Sequence, residues 1–474
     1  MRRLTIKNIG PIHSVYLDLK RINVLIGLQS SGKSTINKIA CYCSWVEKEI
    51  YINQTAESFE RASYFENQLV EFHKLEGFMS LDSFIEFETD FIHFSYTKKE
   101  NKFFFEWKLD SVHLQYKRTK TLYIPAERNI VAAIPNWFDI KLDNSNLRSF
   151  MSDWQEARNL YSKSSFPILD LGITYTYNQE LDKDELTLQS TNKKINFRNA
   201  SSGLQSLIPL YTLIKYSTVD IFTKHEKNDF FDTITKTKNI AHEYRLYENY
   251  IKNKISKDLD IDFIKTQVSN KLLTSKKKTE LNDFEDVIKT EIENEIRSEI
   301  IKIISLNDFT SYINNQFAHT ANNNTNADSE ELNIAYQTLF VQQSSIFLEE
   351  PEVNLFPTTQ RELVKYLIKS AYHNEEERMH SLFLTTHSPY ILTTLNNLIY
   401  AHDCAKNSEE VKEIISGDHW VNFDDVGVWF VKNGTIECIL DQEERQIDAT
   451  KIDEVSQLLN DEFDNLLNTQ YHEV

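Results

Sequence analysis

The sequence predicts an α/β fold built around a phosphate-binding loop, with an antiparallel β subdomain and a helical insertion. Three observations predict it. A strand passes through a glycine-containing loop into a helix over residues 22–51, a strand–helix alternation resumes after residue 337, and a polar stretch of helical spacing separates the two.

At 474 residues the chain exceeds the size at which one core stops growing, so a main domain with a sizeable insertion is expected: 1–216 and 337–474 for the main domain, 217–336 for the insertion. Leu4, Ile6 and Ile9, then Val15, Leu17 and Leu19, then Ile22, Val24 and Ile26 alternate with polar neighbours and read as short strands, with Gly10-Pro11 as the first turn. From Thr35 to about Tyr51 the spacing is helical. Aromatic and β-branched residues dominate 80–125 (Phe84, Phe87, Phe91, Phe94, Phe103 to Trp107), which predicts an antiparallel sheet. Residues 217–335 are rich in Lys, Glu, Asp, Asn and Ile at helical spacing, with an exposed loop expected at 322–326. No heptad pattern is sustained there, which argues against a long coiled-coil arm. Strands are then expected at Ser345 to Leu348 and Leu382 to Thr385, a helix between them at Thr358 to Ala371, a hairpin turning at Asn433-Gly434, and a final amphipathic helix over about 452–467.

A net charge of −19 repels nucleic acid at long range, so any DNA contact would need a local basic groove. The run Lys276-Lys277-Lys278 is one candidate, although such runs commonly end solvated helices. The four cysteines lack the spacing of a zinc site or disulfide framework, which fits a reducing, cytoplasmic setting. The N-terminus lacks the pattern of a signal peptide, and no apolar run is long enough to span a membrane.

Four elements carry chemistry. Gly27-Leu28-Gln29-Ser30-Ser31-Gly32-Lys33-Ser34 matches G-x-x-x-x-G-K-[ST], in which backbone N–H groups and a helix N-terminus cradle phosphates, the lysine adds a point charge and the serine ligates magnesium. Gly27, Gly32 and Gly203 are three of only nine glycines, and such sparing use suggests positions where backbone must approach something closely. In Ser345 to Glu352 a buried strand ends in acids: Glu349 is expected near the metal and Glu350 where it can polarise water. A solvated helix cap would offer the same acids. His387, at the end of the next strand, can donate a hydrogen bond to a terminal phosphate or to attacking water. Ser201-Ser202-Gly203-Leu204-Gln205 opens an apolar helix and makes an anion site suited to a phosphate held by another copy.

In this order the four elements resemble the ABC-type ATPases of the structural-maintenance, DNA-repair and overcoming-lysogenization-defect groups, over residues 1–216 and 337–400. Gly27 to Ser34 resembles the Walker A loop, Glu349-Glu350 Walker B with its catalytic glutamate, Glu352 to Pro357 the D-loop, His387 the switch histidine, and Ser202 to Gln205 the signature. The resemblance implies an ABC-type P-loop ATPase fold with ATP and Mg2+. It places Gly27, Gln29, Ser30, Ser31, Gly32, Lys33, Ser34 and Thr35 on the nucleotide, and Ser34 and Glu349 on the metal. Glu350, His387 and Lys33 would be catalytic, with Ser202, Gly203 and Gln205 on the nucleotide of the other copy of a homodimer. Glu349 to Pro357, Pro125 to Arg128 and Ser201 to Ser206 are most similar to stand-alone bacterial defence ATPases, such as the ATPase subunits of the PARIS and Septu anti-phage systems.

The sequence departs from these families in four ways. The signature lacks the second glycine of transporters, and the Pro125 to Arg128 segment stands where a glutamine-loop is expected. The insertion follows the signature, whereas structural-maintenance proteins place their coiled coil before it. The 87 residues after His387 are too few for a metal-binding Toprim nuclease, although Asp424-Asp425 imitates part of one, so no intrinsic nuclease is expected. The expectation is an ATPase scaffold and sensor for a separate effector, a Toprim-type or other nuclease, with a phage-encoded trigger and no membrane partner. The alternative is a DNA-repair or chromosome-handling clamp, and oligomers beyond the dimer are left open.

Overall fold

The computed structural model describes residues 2–53, 55–108, 117–134, 144–162, 165–223, 341–373, 378–448 and 454–471. The chain divides into two compact units, 1–226 with 340–474, and 227–339. The expected helices of the insertion beyond residue 223, the loop at 322–326 and the lysine run at 276–278 lie outside the described residues.

A six-stranded sheet organises the first unit. In chain order its strands are β3 (Ile22–Gly27), β7 (Thr119–Ile124), β12 (Gln343–Glu349), β13 (Ser381–Thr386), β14 (Val426–Lys432) and β15 (Thr435–Cys438). Their spatial order is β15-β14-β3-β13-β12-β7, parallel throughout except for the antiparallel edge β15. β3 is buried at all six positions, as expected of a central strand covered on both faces.

Side chains alternate between those faces. Ile22, Val24, Leu122, Ile346, Leu382 and Val428 join one core, while Leu25, Tyr123, Phe347, Phe383 and Trp429 join the other. The second core is completed by α1 (Lys33–Asn53), whose Ile36, Ile39, Ala40, Cys43, Val46 and Ile50 recur at helical spacing and are buried. Truncating one ring in this layer, as in Phe347→Ala, costs about 3–5 kcal/mol. The opposite core holds α3 (Asn146–Leu160) through Trp154, α4 (Ser202–Lys215), α5 (Pro357–Ala371) and α6 (Pro389–Cys404). Between α1 and the first strand after it lies the helix α2 (Tyr64–His73).

The antiparallel subdomain expected within 80–125 is present as far as residue 107, and it also takes in the first two strands of the chain. β1 (Arg3–Ile9) and β2 (Ile12–Asp18) pair with β4 (Met79–Glu88), β5 (Ile92–Thr97) and β6 (Lys102–Trp107) in the order β2-β1-β4-β5-β6. Residues 119–124, grouped by composition with the aromatic stretch, belong to the parallel sheet instead. The physical difference lies in burial: β4 and β5 alternate, whereas Leu122, Tyr123 and Ile124 are buried consecutively.

A second antiparallel sheet, for which the sequence raised no expectation, comprises β8 (Phe166–Pro167), β9 (Ile173–Asn178), β10 (Lys183–Leu188) and β11 (Lys193–Asn196). The run begun by α4 passes residue 216, the expected edge of the insertion, through a π-helical turn at Tyr216–Asp220 and on to Thr223. The 433–434 hairpin turn forms as expected, with Asn433 and Gly434 both at positive φ. The final helix, α7, spans Glu454–Tyr471. Among the described residues no helix is long and apolar enough to cross a membrane.

Candidate nucleotide site

Strand register builds the site. Ile26 is opposite Thr386, and Thr385 is opposite Glu349, so β3, β13 and β12 end at one level. Gly27, His387 and Glu350 each stand one residue beyond those partners. The carboxyl ends of adjacent parallel strands are where α/β sheets bind ligands.

The loop after β3 is tightly held. Ser30 has φ of 60° and Gly32 of 107°, and the Ile36 N–H donates to the Gly32 carbonyl as α1 begins. A Cβ on Gly27 would lie 2.3 Å from the carbonyl oxygen of Val431 in β14, so this position accepts only glycine without displacement. Leu28, Gln29 and Ser30 are exposed, whereas Lys33 and Thr35 are buried. The Lys33 ammonium donates to the carbonyls of Gly27 and Leu28 at 2.9 and 2.7 Å. Burial lowers its pKa to about 8, against the raising influence of Glu350 and Glu352.

Glu349 is buried and its Oε1 accepts no hydrogen bond. Burial pushes its carboxyl upward, with Tyr123, Lys38 and Ser34 pulling the other way. An orphaned buried carboxylate oxygen near the Ser34 hydroxyl is an all-oxygen donor set of the kind magnesium takes. Ser31 Oγ is likewise buried without a partner, in the loop after β3.

Glu350 has φ of 42°, a left-handed backbone that costs a non-glycine residue about 1–2 kcal/mol. Its N–H donates to the Thr385 carbonyl at 2.9 Å, and its Oε1 lies 3.7 Å from His387 Nε2. The His387 backbone N–H donates to Glu352 Oε1 at 2.6 Å, while Glu352 Oε2 is buried and unpartnered. Ser388 caps α6 by accepting from the Tyr390 N–H and donates to Gln360 of α5. This fixes the chain just after His387.

Ser202, Gly203 and Gln205 open α4, which meets the turn that follows Glu350 at Gly203 and Ser206. Space at Gly203 is taken by the Asn354 carbonyl, 2.7 Å from where a Cβ would stand, and Asn354 Nδ2 donates to Ser206 Oγ at 3.2 Å. The Gln205 amide donates to the carbonyls of Arg198 and Ala200, which ties it to its own loop. The structure thus brings Lys33, Ser34, Glu349, Glu350 and His387 together. Of the residues that open α4, Gly203 packs on the turn after Glu350, whereas Gln205 is held by its own loop.

Two residues were missed as individuals. Glu352 was expected only as part of a loop. Arg128, which is fully buried, donates from Nε to the Ser206 carbonyl at 3.0 Å, from Nη1 to the carbonyls of Glu349 (2.9 Å) and Pro125 (3.4 Å), and from Nη2 to those of Glu350 (2.9 Å) and Pro351 (3.2 Å). Burial lowers its pKa to about 10, with Glu352, Glu350 and Glu349 opposing. Nothing in an arginine's sequence neighbourhood announces full burial. The one available signal was its place four residues beyond a consecutively buried strand end.

No family model and no curated protein matches the chain. Among solved structures, the SMC head domain from Thermotoga maritima is 7% identical with a TM-score of 0.33, covering 92% of this chain and 97% of that one. An SMC head bound to the C-winged helix domain of ScpA is 8% identical with a TM-score of 0.31, covering 93% and 98%. The recombination mediator RecF bound to ATPrS is 12% identical with a TM-score of 0.26, covering 92% and 97%. These likenesses are distant, and the reading of the site rests on its own geometry.

Proposed function

We propose that the chain is an ABC-type ATPase that binds ATP with Mg2+ at residues 27–35, closes on a second copy of itself and hydrolyses the nucleotide, serving as scaffold and sensor for a separate effector in anti-phage defence. The observation that carries the ATPase reading is the convergence of Lys33, Glu350, Glu352 and His387 at the level ends of three adjacent parallel strands.

In this reading backbone N–H groups of the loop and Lys33 take the β- and γ-phosphates. Ser34 and Glu349 would hold Mg2+, which neutralises developing phosphate charge when bound. Glu350 orients and polarises the attacking water, and His387 donates toward the same water or the γ-phosphate. Ser202 and Gly203 of a second copy close the site over the γ-phosphate. Phosphoryl transfer of this kind is a problem of positioning and electrostatics, and the residues present are of the types it requires.

The effector role rests on the resemblance of Glu349 to Pro357, Pro125 to Arg128 and Ser201 to Ser206 to defence ATPases. The test begins with ATP turnover by the purified chain. Tagged Glu350→Gln protein, purified gently with ATP from its native gene neighbourhood, should then be a dimer carrying a stoichiometric protein with nuclease or toxin features. Absence of turnover by the unsubstituted chain overturns the ATPase reading. Duplex DNA that washes off with salt, and no protein partner, replaces the scaffold with a clamp.

A further inference from the structure

We infer that Arg128 is a positioning residue for hydrolysis, holding Glu350 in the strained conformation that turns its carboxylate toward His387. The inference rests on the proposed ATPase reading and adds a residue to it.

The geometry carries the argument. A left-handed glutamate persists only where its surroundings over-determine it. Here the Glu350 N–H is fastened to the Thr385 carbonyl, and its carbonyl receives Arg128 Nη2 at 2.9 Å. The same guanidinium holds the carbonyls on either side, Glu349 and Pro351, so three consecutive peptide units share one planar donor. Its Nε reaches back to the Ser206 carbonyl in the first turns of α4. Only a rigid fork with five N–H donors satisfies this set, and a lysine ammonium, a compact point donor, cannot span it. All these contacts are to backbone, so Arg128 acts through Glu350 and not on the reacting atoms.

A merely structural staple would satisfy the same carbonyls, and a double-mutant cycle separates the two roles. Arg128→Lys and Arg128→Gln are each made in the natural chain and in the Glu350→Gln background. ATP turnover is measured together with the Kd of a fluorescent ATP analogue. The expected result is a kcat loss of about 30- to 100-fold in the natural background with Kd and KM changed less than about threefold, and less than about threefold further loss in the Glu350→Gln background. Equal fold-losses in both backgrounds, or kcat and Kd worsening together, overturn the inference while leaving the ATPase reading standing. Failure of both variants to melt cooperatively makes Arg128 a folding staple and also overturns it. A natural chain that hydrolyses no ATP removes the reading and the inference together.

Discussion

His387 Nε2 lies 3.7 Å from Glu350 Oε1, beyond hydrogen-bond distance and close enough for both groups to address one small molecule. Neither side chain is locked onto the other, which suits the roles proposed for the pair. His387→Ala is expected to lower kcat about 10- to 100-fold with nucleotide Kd little changed, because it removes a donor and leaves the phosphate loop intact. Steady-state turnover beside equilibrium binding checks this. A loss confined to affinity would assign His387 to binding alone.

Lys33 carries a charge whose pKa is lowered to about 8 by burial. Its protonated form is the one that attracts phosphate, so affinity is full below that value and lost above it. If protonation of Lys33 is required, apparent Kd for ATP should rise about tenfold between pH 7 and pH 9. Titration of the Lys33→Met variant should show weaker binding and no such dependence.

Gly27→Ala tests the contact between the phosphate loop and β14. The added carbon would stand 2.3 Å from the Val431 carbonyl oxygen, so loop or strand must move. A destabilisation of about 1–3 kcal/mol is expected in denaturant unfolding, together with loss of nucleotide binding. Normal binding in the alanine variant would show that the loop tolerates the displacement.

His73 and His380 are both buried, and burial lowers each pKa to about 3. In the unfolded chain they titrate near 6.5, so below that pH the unfolded state binds more protons. Their contribution is complete above about pH 6.5, and each loses up to about 1.4 kcal/mol per unit as pH falls toward 3. Thermal melts should therefore show Tm dropping from pH 7 to pH 5. His73→Leu should flatten that slope, and an unchanged slope would show that His73 is not among its causes.

The strand ends that form the candidate site were legible in the sequence because they are local: a glycine loop after a strand, acids after an apolar run, a histidine after the next. Which strands neighbour one another was not. β1 and β2 precede β3 in the chain yet join the other sheet, and the alternation of Leu4 and Ile6 with polar residues was the sign, set against unbroken burial in β3. The 166–196 sheet left a trace in Ile173-Thr174-Tyr175-Thr176-Tyr177, whose period of two is that of a strand. Neither Arg128 nor the partner of Gly27 could be read, because the contacts with Glu350 and Val431 are set by tertiary register, not spacing. The close approach inferred for sparing glycines is made, at Gly27 and Gly203, to protein backbone.

β3 is bordered by β13 and β14 alone, both drawn from the last hundred residues of the chain. On the ribosome, the strand that carries this loop therefore emerges about 350 residues before either of its neighbours and remains unpaired until they follow. Such delayed, long-range pairing is slow and leaves an apolar edge open to wrong partners. A nascent or prematurely terminated product lacking residues beyond 425 would have β3 without β14 and the loop without its Val431 backstop. It would be aggregation-prone, so the loop gains its backing only once synthesis has passed Val431.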